Sequence, residues 1–212
     1  MEKIIISIGR QFGSGGRMIG KRLAERFNIG YYDKEILSLA SKESGIRKEF
    51  FKRADEKETN SVIGCYNLEY PIGSIFTPIF RSSNSLSGNS LFKIQSDTIR
   101  CLAKESCVII GRCANYVLRD DKALFSVFIS AGLDWRIKRV GENKDYDTDE
   151  ENIREAILKA DKMRASYYNF YTNSTWGEAK TYDLCLSTET FGIENAVELI
   201  ANAVETRLSQ NK

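Results

Sequence analysis

Four glycines and a serine fall within residues 9–16 of this 212-residue chain, and Arg17 follows them directly. The run Gly13-Ser14-Gly15-Gly16 is too flexible for the interior of a strand or a helix. A turn of that kind aims several backbone N–H groups at one point. Where a helix starts at the same place, its positive end adds to those donors, and the point attracts phosphate. Arginines recur where they suit the same ligand: Arg112 after the apolar run 107–111, Arg136 and Arg139 three apart, and Arg164. Phosphoryl transfer spreads negative charge over three oxygens, so convergent guanidiniums match its transition state. The chain has no histidine, which excludes His-based triads, His zinc sites and His general bases. Phosphoryl transfer needs none of them.

The elements that must hold these groups are legible nearby. Residues 3–8 form an apolar run with β-branched members, which predicts a buried strand. From Arg17 onward Ile19, Leu23 and Phe27 are spaced by four, which predicts a helix. Strand, glycine turn and helix together have the shape of the phosphate loop G-x-x-x-x-G-K-[ST], but not its letters. Gly16 stands where the lysine belongs and Arg10 at the first glycine. Arg17 follows the missing lysine, and neither it nor Met18 carries the hydroxyl that holds magnesium. Backbone donors do the cradling, and Arg17 is a candidate cation one position late. An ordinary strand-to-helix turn remains the competing reading.

Farther along, 28–32 reads as a second strand ending at Asp33. That aspartate is either an N-cap, worth about 1 kcal/mol, or a ligand at the carboxyl end of a strand in a parallel sheet. Residues 48–57 are charged and helical in pattern. Residues 60–89 collect serine, glycine, asparagine and both prolines, which marks 45–90 as an insertion. Its apolar run 75–80 suits a flap or a dimer contact. Helical period returns over 91–104, where Gln95 and Arg100 either face an acceptor or sit on the surface. Residues 107–111 predict a central strand with Arg112 at its carboxyl end, and 124–130 a fourth strand. Asp134 then caps a helix with Arg136 and Arg139 on one side. The acidic segment 142–155 holds a capping box, Thr148-x-x-Glu151. The long helix after it carries an apolar stripe and a second line, Asp161, Arg164 and Tyr168. A fifth strand at 182–187 and an amphipathic helix from Ile193 to Leu208 close the chain. Such alternation requires a parallel sheet with right-handed crossovers.

Composition bounds the rest. With 42% hydrophobic and 28% charged residues the chain suits one domain. Thirty-one basic against 29 acidic residues leave no global field for nucleic acid or membrane. Cys65, Cys101, Cys107, Cys113 and Cys185 form no C-x-x-C pair, and residues 1–8 resemble neither a signal peptide nor a span. A reduced, cytoplasmic protein with buried thiols is the expectation.

The blocks ISIGRQFGSGGRMIGKRLAE, YYDKEI, VIIGRCANYVL, WRIKRV, DKMRASYYNFY and YDLCLS resemble the cytidylate kinase-like family of bacterial P-loop proteins, in which the GSGGR form of the loop is usual. The resemblance implies a three-layer α/β P-loop kinase fold, with a five-stranded parallel sheet of order 2-3-1-4-5 between helices. Its core would be 1–44 and 101–212, with an acceptor-binding or flap insertion at about 45–100 and a lid at about 136–168. It implies ATP on Gly13, Ser14, Gly15, Gly16, Arg17 and Met18, and an acceptor near Asp33, Gln95, Arg100, Arg112 and Asp161. Arg17, Arg136, Arg139 and Arg164 would be catalytic. Magnesium is expected with ATP rather than in a dedicated protein site. Met18 cannot ligate it, so Ser14 or Asp33 would substitute. Relatives carry an arginine six residues after this aspartate and an aspartate after this Gly-Arg pair; here Leu39 and Cys113 stand instead, which leaves the acceptor open. The expectation is an ATP-dependent phosphotransferase acting on a CMP-like nucleoside monophosphate or another small phosphate acceptor. A non-catalytic nucleotide- or phosphate-binding protein is the alternative, and an interaction module resting on 75–80 is a third. No nucleic-acid or membrane partner is expected, while a homodimer stays open.

Overall fold

The computed structural model describes residues 2–33, 88–142 and 152–210. Strand β1 (Ile5–Arg10) lies at the centre of a sheet, parallel to β3 (Cys107–Ile110) on one side and β4 (Leu124–Ser130) on the other. Strand β2 (Gly30–Tyr32) extends the sheet beyond β3, and β5 (Leu184–Ser187) beyond β4. The order β2-β3-β1-β4-β5 is the one expected.

Side chains alternate across this sheet with the period of two that a strand imposes. Ile4, Ile6 and Ile8 point into one cluster, shared with α1 (Gly16–Phe27) and α6 (Thr188–Gln210). Ile5 points into the other, shared with α2 (Gly88–Leu102) and α3 (Ala114–Val117). Ile5, Ile6 and Ile8 are fully buried, and each such side chain contributes about 1.5–3 kcal/mol. A third, smaller cluster joins Phe12 to α4 (Leu133–Glu142) and α5 (Ile153–Thr172) through Val140, Ile157 and Ala160. It seats the long helix beside the glycine loop.

The sequence predicts β1 at 3–8 with a loop from Gly9, and the structure differs. The ladder with β4 continues through Gly9↔Phe128 to Arg10↔Ile129, so Arg10 closes a strand. Pairing, a tertiary property, sets that end. Strand β5 starts at Leu184 rather than 182, because its first partner on β4 is Val127. Helix α2 runs slightly earlier than the predicted 91–104. Helix α6 is interrupted at Gly192 (φ 72°, ψ 169°), so its predicted amphipathic length from Ile193 follows a separate first turn.

Cys107 and Cys113 are buried as expected, but Cys101 and Cys185 are exposed. One lies on the outward side of α2 and the other on an edge strand, neither of which the core covers. No helix among the described residues is long and apolar enough to cross a membrane. The helix read after Asp33, the segment 48–57, the insertion 45–90 with its run 75–80, Cys65 and the Thr148–Glu151 capping box lie outside the described residues.

Candidate functional site

Most of the candidate anion-binding groups among the described residues meet at the carboxyl ends of β1 and β3. Gly15 is the N-cap of α1 in the left-handed region (φ 84°, ψ 2°), where a side chain is penalised. Three amides of the loop are spent on holding it: Gln11 N–H donates to the Ile129 carbonyl at 3.0 Å, Phe12 N–H to Asp161 Oδ1 at 2.7 Å, and Ser14 N–H to the Gln11 carbonyl at 3.3 Å. No group among the described residues takes up the N–H of Gly13, Gly15 or Gly16. The first amides of a helix have no partner within it, and they carry its positive end. Ser14 is fully buried. Its hydroxyl donates to the Gln11 carbonyl at 2.8 Å, and its own carbonyl accepts from Thr188 Oγ1 at 2.8 Å.

Helices α4 and α5 deliver three arginines to this loop. Arg136, 5% exposed, donates from one guanidinium nitrogen to the Phe12 carbonyl at 3.1 Å and to Asp161 Oδ2 at 2.5 Å. Asp161 therefore grips the loop backbone and Arg136 at once. Arg164 donates to the Arg10 carbonyl at 3.0 Å, and its guanidinium lies over the Phe12 ring. Arg139 brings Nε within 3.4 Å of the position a Gly15 Cβ would take. That Nε is buried without a hydrogen bond. Arg139 also lies over the Trp135 ring, and no carboxylate among the described residues pairs with it.

On the other side of the loop stands Asp33, 8% exposed. Arg17 donates to its Oδ2 from Nε at 2.5 Å and pairs with it through a second nitrogen as well. Arg10 approaches its Oδ1 at 3.9 Å. After β3 the backbone takes three positive φ angles in succession, at Gly111 (71°), Arg112 (59°) and Cys113 (55°). Two non-glycine residues in that region are strained, at about 1–3 kcal/mol each. The turn carries Arg112 to the wall of a cavity also lined by Arg10 and Arg164.

The rest of that wall is aromatic: Tyr167, Tyr168, Trp176 and Tyr182. Phe128 backs it, with ring centroids 5.1 Å from both Trp176 and Tyr182. Asn115 Nδ2 donates to the Tyr168 hydroxyl at 2.9 Å. Burial raises the Tyr182 hydroxyl far above the ordinary tyrosine value, so it stays protonated at any physiological pH. Guanidiniums at the mouth and rings behind suit a ligand with an anionic end and a flat or apolar body.

Of the residues the sequence singles out, Gly13, Ser14, Gly15, Gly16, Arg17, Asp33, Arg112, Arg136, Arg139, Asp161 and Arg164 come together around the loop and the cavity. Met18 lies in the first turn of α1, with no oxygen to offer. Gln95 is 1% exposed and reaches the site through Tyr167, whose hydroxyl donates to its Oε1 at 2.8 Å. Arg100 is not brought in: it is exposed and paired with Asp97 at 3.1 Å, one turn away on the same helix. Arg17, the candidate cation, is paired with Asp33. Sequence reasoning misses Phe12, Asn115, Thr188 and most of the aromatic wall, and ranks Arg10 only behind Arg17 as a source of the missing cation. The Tyr167-Tyr168 pair and Trp176-Gly177 were the signals available for the wall.

Comparison with known proteins agrees with this geometry. No curated protein matches the sequence. The crystal structure of an uncharacterized protein from Eubacterium ventriosum is 33% identical, with a TM-score of 0.69 over 97% of this chain and 99% of that one. The shikimate kinase of Bacteroides thetaiotaomicron (13% identity, TM-score 0.53, 95% and 98% of the two chains) shares the fold alone. So does a gluconokinase from Sinorhizobium meliloti (12%, 0.51, 99% and 98%). The model of the cytidylate kinase-like family matches residues 5–190, a span that runs from β1 to the first turn of α6 and contains every group described above. With its P-loop kinase sheet order and its lysine-free glycine loop, the chain belongs to the cytidylate kinase-like family.

Proposed function

We propose that this protein is an ATP-dependent phosphotransferase that acts on a small phosphate-bearing acceptor, with a CMP-like nucleoside monophosphate as the leading class. The observation that carries the reading is the glycine loop. No described residue takes up its Gly13, Gly15 and Gly16 amides, while arginines from two separate helices reach the same few residues. In this reading the amides cradle the nucleotide phosphates. Arg139 and Arg164 offset the charge that develops on the transferred group. The acceptor lies against Arg112 and the aromatic wall, a surface on which a nucleobase stacks well.

Magnesium, when carried on ATP, neutralises the triphosphate. Magnesium would come with ATP in this reading, because among the described residues the Ser14 hydroxyl is turned to Gln11 and Asp33 is engaged by Arg17. The described residues hold no cluster of three or more His, Cys, Asp or Glu side chains. The same Ser14 geometry supports a second reading, a nucleotide-binding protein without turnover.

One experiment separates the two. Thermal shifts against a panel of nucleoside mono- and triphosphates identify which compounds bind, and phosphorus NMR on the stabilising pair follows transfer. Transfer to one monophosphate supports the kinase reading. Stabilisation by a triphosphate with no transfer to any acceptor supports the binding protein. No stabilisation by any phosphate compound overturns both.

A further inference from the structure

We infer that Arg10 is the cation this loop uses in place of the missing lysine, and that Gly16 is glycine because Arg10 is there. The inference rests on the phosphotransferase reading and names the residue that supplies its charge. A Cβ built on Gly16 would lie 2.7 Å from Arg10 Cβ and 3.1 Å from Arg10 Cγ. These atoms are the root of the arginine side chain, fixed by the strand, so they cannot swing aside as a distant tip would. Arg10 is 7% exposed and closes β1, with its register set against Ile129. Its carbonyl is held by Arg164. The residue is pinned along its backbone, and its stem fills the space from which a lysine at 16 would have to start.

The far end of the side chain is accommodated in the same way. A Cβ at Gly111 would collide with an Arg10 guanidinium nitrogen. Gly16 and Gly111, far apart in sequence, are thus both emptied for one side chain that runs between them. The guanidinium ends beside Asp33 and lines the cavity with Arg112 and Arg164. That is the junction between the loop amides and the aromatic pocket. A group transferred between nucleotide and acceptor must cross it. A phosphate-loop lysine serves as a point charge, whereas a guanidinium there offers a planar fork to two oxygens at once. The position of the charge along the loop has changed, and the charge itself is retained from the other side.

The test is an exchange of the two residues. Gly16→Lys alone should lower the melting temperature, because the new Cβ meets the Arg10 stem. Arg10→Gly with Gly16→Lys together should recover most of that loss, since the stem is removed and a lysine-bearing loop results. Arg10→Met keeps the bulk of the stem, so its fold is the control. Its affinity for ATP, or its transfer rate, should fall at least tenfold, with Arg10→Lys in between and the double exchange above Arg10→Met. Equal binding and turnover by Arg10→Met and the parent would overturn the inference while leaving the phosphotransferase reading intact. A Gly16→Lys protein as stable as the parent would overturn the steric half. A parent that binds neither ATP nor inorganic phosphate would remove both the reading and the inference.

Discussion

The carboxylate of Asp161, on α5, accepts the backbone N–H of Phe12 at 2.7 Å across 149 residues of chain. With its other oxygen it holds Arg136 at 2.5 Å, and Arg136 returns to the Phe12 carbonyl. Both polar groups of one loop residue are therefore fixed by a partly buried ion pair from two helices. The pair thus holds the loop backbone beside its glycines.

Removing Asp161 strands the buried guanidinium of Arg136, a loss of about 3–5 kcal/mol where both partners are buried and less here, where the carboxylate is only partly buried. Asp161→Ala is expected to lower unfolding stability by that smaller amount and to weaken phosphate binding with it. Asp161→Asn retains an acceptor for Phe12 and should lose less. Urea unfolding of the three proteins, read beside ATP thermal shifts, checks the ranking. Equal stability of Asp161→Ala and the parent would show that the clamp does not hold the loop.

Unlike Arg136 and Arg17, Arg139 pairs with no carboxylate among the described residues. Arg139→Ala should leave the melting temperature unchanged and lower turnover more than ATP affinity, as expected of a charge felt most in the transition state. Arg100→Ala, which removes a surface pair with Asp97, should leave both unchanged. Steady-state kinetics on the two variants decides; a matched loss in both would remove Arg139 from the site.

Arg17 spends its guanidinium on Asp33. Arg17→Ala is therefore expected to reduce ATP affinity less than tenfold, that is by less than about 1.4 kcal/mol. Asp33→Asn releases Arg17 and disturbs Arg10 together, so it should reduce turnover more than Arg17→Ala. The opposite order would place Arg17 on the phosphates directly.

At the opposite end of the sheet, burial pushes the Asp121 carboxyl up, but the Lys3 ammonium at 2.8 Å and the Ala123 N–H outweigh it, and the carboxyl ends below its ordinary value. A group whose pKa is depressed on folding stabilises above its unfolded value, about 3.9 for aspartate, and that stability is lost as pH falls through the folded value. Acid unfolding of Asp121→Asn should show a shallower loss between about pH 5 and the folded pKa. An unchanged acid profile would mean that the pair contributes nothing.

Burial raises the Cys107 thiol to about 12, and only the thiolate reacts. Of the four described cysteines, Cys101 should be labelled first by a thiol reagent in the folded protein, while Cys107 and Cys113 should stay protected until unfolding. Cys185, exposed but with its thiol pushed up by partial burial, should be slower than Cys101. Peptide mapping of the labelled protein reads each of these four sites separately from Cys65.

Local pattern determined much of the fold. The apolar run before Gly9, the four-residue spacing of Ile19, Leu23 and Phe27, and the run 124–130 marked strand, helix and strand because period and β-branching act within a few residues. The glycine loop, the absence of histidine and the family blocks pointed to phosphate chemistry, and the blocks implied the strand order that the sheet adopts. Pairing was not legible. That Arg17 goes to Asp33, Arg136 to Asp161, Arg164 to the Arg10 carbonyl and Arg100 to Asp97 depends on distances between elements that periodicity does not encode. An arginine in a sequence is a charge on a long stem, and only the packed helices decide which oxygen it reaches. The clearest case is Arg10. In the sequence it stood at a glycine position of the pattern and ranked behind Arg17 as a cation. The ladder to Ile129 made it a strand end, and the empty space at Gly16 and Gly111 gave its side chain a path into the site.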